Sequence, residues 1–289
     1  MISHVPLLCA LGAGLANTVV ALSVKAAQHS RFRPSRFTAL AMIGAGAISG
    51  IVAGLTAGSW NNWRLWALGI VLGGITYGCV TLMLRANRHG PPSLPWAMAN
   101  LGLILPIGLS AFFLGESLRG TDMVCLVVFC GMLLAFVRGT THAGDVQRGH
   151  GLTLMLLLAT VWLLQGTLMF GFKLNAFLPG DINRSALTPI ICLTAGVLAW
   201  LDEWRQPREA FQWRHLGWSL AMGGANGTSI LLLLVAMKLP ASVAFPIIQG
   251  VSFLGGIVVT AVVFHERLNL WKWLGIAFGL GVICLAVRR

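Results

Sequence analysis

Uncharged polar side chains inside long apolar stretches are the residues of this chain best suited to bind a ligand. Amides occur at Asn17, Gln165 and Asn226, and two more, Asn100 and Gln249, stand near prolines. Inside a membrane such groups either hydrogen-bond a neighbouring helix or line a polar cavity. With nearby hydroxyl and aromatic side chains they form the predicted substrate-binding set: Asn17, Tyr77, Asn100, Trp162, Gln165, Asn226, Thr228, Gln249 and Ser252.

Prolines and one deep tryptophan accompany this set. Pro95, Pro106 and Pro246 each remove a backbone donor, so we expect kinked helices that present free carbonyl groups to a cavity. Most tryptophans stand at the ends of apolar runs, as in an interfacial belt. Trp162 lies deep within a run, where its indole either stacks on a ligand or packs between helices.

Charged residues stand at the ends of the apolar runs. Lys25 and Lys173 occupy the last turns of the first and sixth runs, and Glu116 and Glu266 follow the fourth and ninth. We assign these four to gating or to the interface, and expect the lysines to snorkel towards water. Because no carboxylate lies in the middle of a run, exchange of a cationic drug for protons is not expected.

Catalytic chemistry has no support in the sequence. It contains no GxSxG or HExxH motif, and no nucleophile with a base at comparable depth. We therefore predict that the protein is not an enzyme and that it needs no cofactor or metal.

The elements that must position these residues are membrane helices. The chain has 289 residues, of which 57% are hydrophobic and 10% charged, well below the share of about 25% in soluble domains. The net charge of +12 lies in short loops between apolar runs, so nucleic acid is not an expected partner. A helix needs about 20 apolar residues to cross a bilayer. Ten runs meet this length, near residues 5–27, 37–58, 65–86, 93–115, 121–138, 151–174, 185–202, 214–237, 240–264 and 270–288.

The two halves of the chain resemble each other. A shift of 150 positions sets Gly73 on Gly223 and Glu116 on Glu266, and a shift of 148 sets Asn17 on Gln165. We predict an all-α polytopic membrane protein with ten transmembrane helices as two inverted five-helix repeats, because an odd number of spans inverts the second copy. The repeats are residues 1–138 and 151–289, with 139–150 as a linker loop. Arginine and lysine favour opposite loops in the two halves, as inversion requires.

Glycines predict close helix packing. Gly46, Gly50, Gly54 and Gly58 recur at every fourth residue in the second run and form a flat ridge. Gly275 and Gly279 in the tenth run fit the same interpretation, and they leave a homodimer as a second option.

Two short motifs carry a resemblance to a known family. They are Phe112-Phe113-Leu114-Gly115-Glu116-Ser117-Leu118 and Val263-Phe264-His265-Glu266-Arg267-Leu268, each followed by a helix that contains glycine. The chain thus resembles the ten-helix EamA-like branch of the drug/metabolite transporter superfamily. The resemblance implies alternating access through a central cavity, with spans one to four and six to nine around it and spans five and ten outside.

Together these features predict a secondary transporter in the cell (inner) membrane. The expected substrate is a small neutral or zwitterionic polar metabolite, with amino acids as the first choice. A sugar, nucleobase or drug carrier of the same family, and a membrane partner protein that transports nothing, remain alternatives. The expected partners are the small-molecule substrate and the lipid bilayer.

Overall fold

The chain forms a bundle of helices. A computed structural model describes residues 4–29, 33–56, 58–86, 89, 93–140, 151–179, 183–206, 213–263 and 269–287, and all regular structure in these residues is helical. A short 3₁₀ helix, Arg184–Ala186, precedes α8. The α-helices are α1 His4–His29, α2 Pro34–Leu55, α3 Trp63–Ala86, α4 Ser93–Leu101, α5 Ile104–Leu114, α6 Gly120–Thr140, α7 Gly151–Asn175, α8 Leu187–Trp204, α9 Trp213–Ala236, α10 Ala241–Val263 and α11 Leu270–Val287.

The helices coincide with the ten predicted spans. Within the described part of the chain, nine helical segments are long and apolar enough to cross a membrane, with α4 and α5 together making one of them. The tenth, Leu270–Ala286, is apolar but shorter. The prediction of an all-α polytopic membrane protein is therefore confirmed, and the chain is an integral membrane protein.

The fourth span is broken where the sequence places a proline. Pro106 has no N–H to donate to the carbonyl of Gly102, and its ring would clash with that carbonyl in a continuous helix. The regular α-helical hydrogen bonding is interrupted at Gly102 and Leu103, and the amide of Leu105 bonds Gly102 O at 3.1 Å. Pro246 differs, because α10 continues through it. The fourth span is thus interrupted just before its proline, whereas α10 contains Pro246 without interruption, and a kink at Pro246 stays a prediction.

Helices of the two halves alternate in the packing. Helix α1 packs against α9 and α10, α2 packs against α8 and α9, and α3 packs against α7 and α8. Helix α7 also packs against α4 and α5, and α6 packs against α11. When each span is exchanged for its equivalent five positions along the order, every pair becomes another pair of the set or, for α2 with α8 and α6 with α11, itself, as a two-fold relation between five-span copies would require. The repeat boundaries stay a prediction, and residues 141–150 of the expected linker lie outside the described residues.

Glycines allow the closest approaches between helices. A Cβ on Gly46 would lie 2.7 Å from Leu193 Cγ of α8, and Gly50 faces Pro189 of the same helix. The predicted ridge includes fewer of these glycines than the sequence pattern indicates. A Cβ on Gly54 would meet no atom within 4 Å, and Gly58 lies beyond α2 with a φ of 122°. In α11, Gly279 packs against Leu254 and Met132 of the same chain. The homodimer stays a prediction.

Candidate functional site

A cavity of about 530 Å³ lies between helices of both halves. Helices α1, α2, α3 and α4 contribute to its wall from the first half, and α7, α9 and α10 contribute from the second. The described residues of α6 and α11 take no part in the wall, as expected for spans five and ten. Those of α8 take no part either, which differs from the expectation for span seven. The polar residues in the wall are Asn17, Thr76, Asn100, Gln165, Asn226, Ser229, Gln249 and Ser252.

The wall combines a few hydrogen-bonding groups with an apolar surface. None of the described residues that form it is charged. Four methionines and three aromatic residues are prominent among the apolar ones: Met42, Met83, Met169, Met222, Phe37, Trp96 and Phe172. Flexible thioether side chains adapt to ligands of different shape. Such a wall suits a small molecule with an apolar part and one or two polar groups.

Two hydrogen bonds cross between the halves and orient amide side chains in the cavity. Ser229 Oγ lies 2.8 Å from Asn17 Oδ1 and donates to it, joining α9 to α1. Cys79 Sγ lies 3.3 Å from Gln165 Oε1, joining α3 to α7. These bonds are equivalent under the shifts found in the sequence, because Asn17 corresponds to Gln165 and Cys79 to Ser229. In both cases the amide oxygen is engaged by a partner from the other half.

Other positions in the wall recur with the same shifts. At a spacing of 148, Val20 and Val24 correspond to Leu168 and Phe172. At a spacing of 150 the corresponding pairs are Thr76 with Asn226, Val80 with Ile230, Met83 with Leu233, and Ala99 with Gln249. The cavity therefore lies where equivalent faces of the two halves meet.

The remaining amides have weak or local partners. Asn226 Nδ2 lies 3.6 Å from Met42 Sδ, and Gln249 Nε2 lies 3.9 Å from Met169 Sδ. A thioether sulfur is a weak acceptor, so an oxygen of a ligand would be a better partner for either amide. Asn100 Nδ2 donates to the Trp96 carbonyl at 2.7 Å.

The structure brings six of the nine predicted binding residues into one wall, namely Asn17, Asn100, Gln165, Asn226, Gln249 and Ser252. Three others lie elsewhere. The side chain of Thr228 is exposed. Tyr77 hydrogen-bonds to Asp202 and Thr81 outside the cavity. Trp162 donates its indole N–H to Leu101 O at 3.2 Å, beside the break between α4 and α5.

A buried ion pair joins three elements at one end of the bundle. Lys173 is 2% exposed, and its Nζ lies 2.6 Å from Glu116 Oε1 and 2.7 Å from Leu239 O. Glu116 Oε2 accepts the Ala241 N–H at 2.8 Å, at the start of α10. We call this the Glu116 end. The expectation that Lys173 snorkels is wrong, because these acceptors hold its ammonium group inside the protein. The side chain of Lys25 and the whole of Glu266 lie outside the described residues.

A second contact also fastens the Glu116 end. Asn183 is buried, and its Nδ2 donates to Ala53 O at 2.7 Å and to Thr56 O at 3.1 Å. These carbonyls end α2, so the amide acts as a C-cap supplied by the segment before α8. Phe172 of the cavity wall directly precedes Lys173 in α7. The cavity therefore ends next to the ion pair on this side.

Towards the opposite end, the cavity wall continues to the ends of the helices. It includes Pro34 at the start of α2, Leu84 near the end of α3 and Trp96 in the first turns of α4. At this end Arg36 Nε lies 2.9 Å from Glu203 Oε1, which ties α2 to the end of α8. We call it the Glu203 end.

Sequence reasoning missed most of the apolar wall. Methionine, valine and phenylalanine occur on faces that contact lipid as well as on faces that contact a cavity, so residue type does not mark them. The shifts of 148 and 150 were a usable signal, since they carry Val20 and Met83 onto other wall residues.

Comparison with known proteins gives a relative by sequence and a solved structure of similar fold. No family model matches the chain. A protein of Sinorhizobium sp. named as an uncharacterized transporter in the cobO 3′ region is 34% identical over 111 residues, which cover 34% of this chain and 70% of the relative. A crystal structure of another protein superposes with a TM-score of 0.75 and 20% identity over 97% of this chain and 96% of that one. The second likeness concerns the fold alone.

Proposed function

Since this chain belongs to the same family as a bacterial protein named as a transporter, we propose that it carries a small neutral or zwitterionic polar metabolite across the cell (inner) membrane. Amino acids are the first substrate class to test. We also assign the chain to the EamA-like branch of the drug/metabolite transporter superfamily, on the two sequence motifs named above.

The observation that carries this proposal is the uncharged cavity between the two halves. Its volume of about 530 Å³ accommodates a small metabolite, and amides from α1, α4, α7, α9 and α10 point to hydrogen bonding as the means of recognition. A solute with a full unpaired charge would lose hydration there without gaining a counter-charge, which disfavours simple ions. Neutral polar molecules and zwitterions avoid that net cost.

The mechanism we propose is alternating access by two inverted five-span repeats. The wall is built from equivalent positions of the two halves, and in this conformation the buried Lys173 and Glu116 pair fastens the Glu116 end. Exchanging the conformations of the halves would open the Glu116 end and close the Glu203 end around the same amides. A ligand moves between the sides because the cavity itself stays near the middle of the bundle.

Transport by the purified protein in liposomes tests the function. We expect uptake of a radiolabelled neutral amino acid, recovered chemically intact, which also separates a carrier from an enzyme. Asn226→Leu removes a wall amide and should reduce transport at least tenfold, because the ligand loses a hydrogen bond while its own polar group stays desolvated. Thr160→Leu is a matched control, since its side chain is exposed on α7.

The outcomes of this assay are distinct. Transport of a sugar or nucleobase in place of every amino acid would keep the carrier and change its substrate class. An Asn226→Leu protein that transports as fast as Thr160→Leu, at equal density in the membrane, would remove this amide from the site. Absence of any solute movement by the folded protein would favour a membrane partner without transport activity.

A further inference from the structure

A second, smaller pocket opens beside the central cavity at the Glu203 end. It has a volume of about 150 Å³ and lies between the start of α2, the end of α3 and the end of α8. Pro34 and Leu84 belong to the walls of both pockets, so the two spaces are neighbours. The other residues of its wall are polar: Ser35, Thr81, Arg85, Asp202 and Gln206.

This pocket contains charge of both signs, whereas the described wall of the central cavity contains none. Arg85 supplies a guanidinium group from the last turn of α3, and its side chain is exposed. Asp202 supplies a carboxylate from the last turn of α8 and accepts a hydrogen bond from the Tyr77 hydroxyl. The Thr81 side chain also hydrogen-bonds to Tyr77.

The adjacent acid is engaged differently. Glu203 Oε1 accepts a hydrogen bond from Arg36 Nε at 2.9 Å, and Arg33 Nη1 lies 3.9 Å from the same oxygen. Ser35 Oγ donates to Glu203 Oε2 at 2.6 Å. The carboxylate of Glu203 therefore binds α2 to α8. Asp202 belongs instead to the wall of the small pocket, together with Arg85.

We infer that this pocket is an entry site that binds the charged head group of a zwitterionic amino acid before it enters the central cavity. The inference rests on the proposed function and names a step in it. Arg85 pairs with the α-carboxylate, and Asp202, with the hydroxyl of Thr81, receives the α-ammonium group. The neighbouring apolar wall at Pro34 and Leu84 then contacts the side chain of the amino acid.

Size and electrostatics support a head group as the occupant. A space of about 150 Å³ is several times what one water molecule needs, so the pocket has room for the nitrogen, two carbons and two oxygens of the head group. Charged residues at the mouth of an uncharged cavity raise the local concentration of a complementary ligand. Because both charges are needed, a molecule with only one of them binds less tightly.

The test compares leucine with two analogues that each lack one charge, isopentylamine and 4-methylpentanoate. The variants are Arg85→Gln and Asp202→Asn, with Arg85→Lys and Asp202→Glu as charge-conserving counterparts. Arg64→Gln is the matched control, because it removes an exposed arginine from the other end of α3. Melting temperature and elution profile verify that each variant is folded, and leucine uptake into liposomes gives KM and kcat.

We expect Arg85→Gln and Asp202→Asn to raise the KM for leucine about tenfold, as loss of a charge-assisted bond does, while kcat at saturation changes little. In competition assays, Arg85→Gln should abolish the preference for leucine over isopentylamine, which lacks the carboxylate. Asp202→Asn should abolish the preference for leucine over 4-methylpentanoate, which lacks the ammonium group. Arg85→Lys and Asp202→Glu should recover part of the lost affinity. A merely structural role would not shift ligand preference in this charge-specific way.

Three results separate failure of this inference from failure of the proposed function. If the wild-type protein transports leucine and both variants match Arg64→Gln in KM and in ligand preference, the entry site is refuted while the carrier stands. If all three ligands lose affinity equally in the variants, the pocket supports the fold and does not recognise charge. If the wild-type protein transports no leucine, the proposed substrate is wrong, and this entry site is rejected with it.

Discussion

Trp162 shows how one side chain can stabilise a broken membrane helix. Because the Leu105 amide bonds Gly102 O in the 3₁₀ manner, the carbonyl of Leu101 loses the partner that a continuous helix would give it. The indole N–H of Trp162 takes that place at 3.2 Å. The close approach of Gly166 to Gly102 brings α7 near enough for this bond, since a Cβ on Gly166 would lie 2.8 Å from Gly102 O.

Replacement of Trp162 by Phe should therefore lower stability by about 1 kcal/mol, the order of magnitude for a carbonyl that loses its hydrogen bond. Phenylalanine keeps an aromatic ring at this position and removes the N–H donor. Unfolding in mixed detergent micelles measures the change, with Trp200→Phe as the control because Trp200 is 51% exposed. Equal stability of the two variants would show that Leu101 O finds another donor.

At the residue scale, the sequence predicts rare side chains better than common ones. Asn17, Gln165 and Asn226 stand out because an amide inside an apolar run is costly unless it is paired or used. Met42 and Met169 are as apolar as their neighbours in the sequence, so only the structure shows that they line a cavity. Tyr77 is the single tyrosine and Trp162 lies deep in an apolar run, yet their partners, Asp202 and Leu101, are distant in the chain.

At the element scale, the Lys173 and Glu116 pair connects helix ends that have no covalent link. It joins the end of α7, the end of α5 and the turn between α9 and α10. The cost of burying an ammonium group is offset here by one carboxylate and two carbonyls. Removing one partner leaves the other charge buried without compensation, which is worse than removing both.

Lys173→Met should destabilise the protein by about 3 kcal/mol, the usual cost of breaking a buried pair. The double variant Lys173→Met with Glu116→Gln should recover part of that loss, because no unpaired charge remains. Unfolding of the two single variants and the double variant gives the coupling energy as a double-mutant cycle. Additive effects, with the double variant no more stable than Lys173→Met, would contradict an energetic link between the two side chains.

The sequence predicts the positions of the helices, with errors of a few residues at their ends. Ten apolar runs of about 20 residues give the spans, because the backbone in lipid must satisfy its own hydrogen bonds. The pattern extends the second span to Gly58, whereas α2 ends at Leu55, where Asn183 from a distant segment caps it. Hydropathy cannot detect such a cap, nor can it distinguish one helix from the α4 and α5 pair.

At the scale of the whole molecule, the predicted internal repeat accounts for a cavity built from both halves. Asn17 with Ser229 and Gln165 with Cys79 form equivalent contacts across the interface. The sequence alone suggests the repeat, but it cannot show that equivalent faces meet, because that depends on which helices pack together. The two ends of the bundle differ in this conformation: the wall includes Pro34 at the start of α2 on the Glu203 side, whereas the Lys173 and Glu116 pair lies beyond Phe172 on the other side.

Two sites in the cavity wall should therefore differ in their accessibility from water. In a background without the six native cysteines, Phe37→Cys should react with a charged thiol reagent added on the Glu203 side. Phe172→Cys should react slowly from the Glu116 side, because the Lys173 and Glu116 pair covers it. Gln206→Cys and Asn61→Cys, both exposed, mark the Glu203 and Glu116 sides of the membrane.

Adding Glu116→Gln to the Phe172→Cys protein should raise its labelling rate from the Glu116 side and lower that of Phe37→Cys from the opposite side. Both changes are expected because weakening a contact made in only one state shifts the population towards the other. If Glu116→Gln raised the Phe172→Cys rate and left Phe37→Cys unchanged, the ends would open independently and the molecule would behave as a pore. Reciprocal changes are the property that distinguishes a carrier, since one end must close before the other opens.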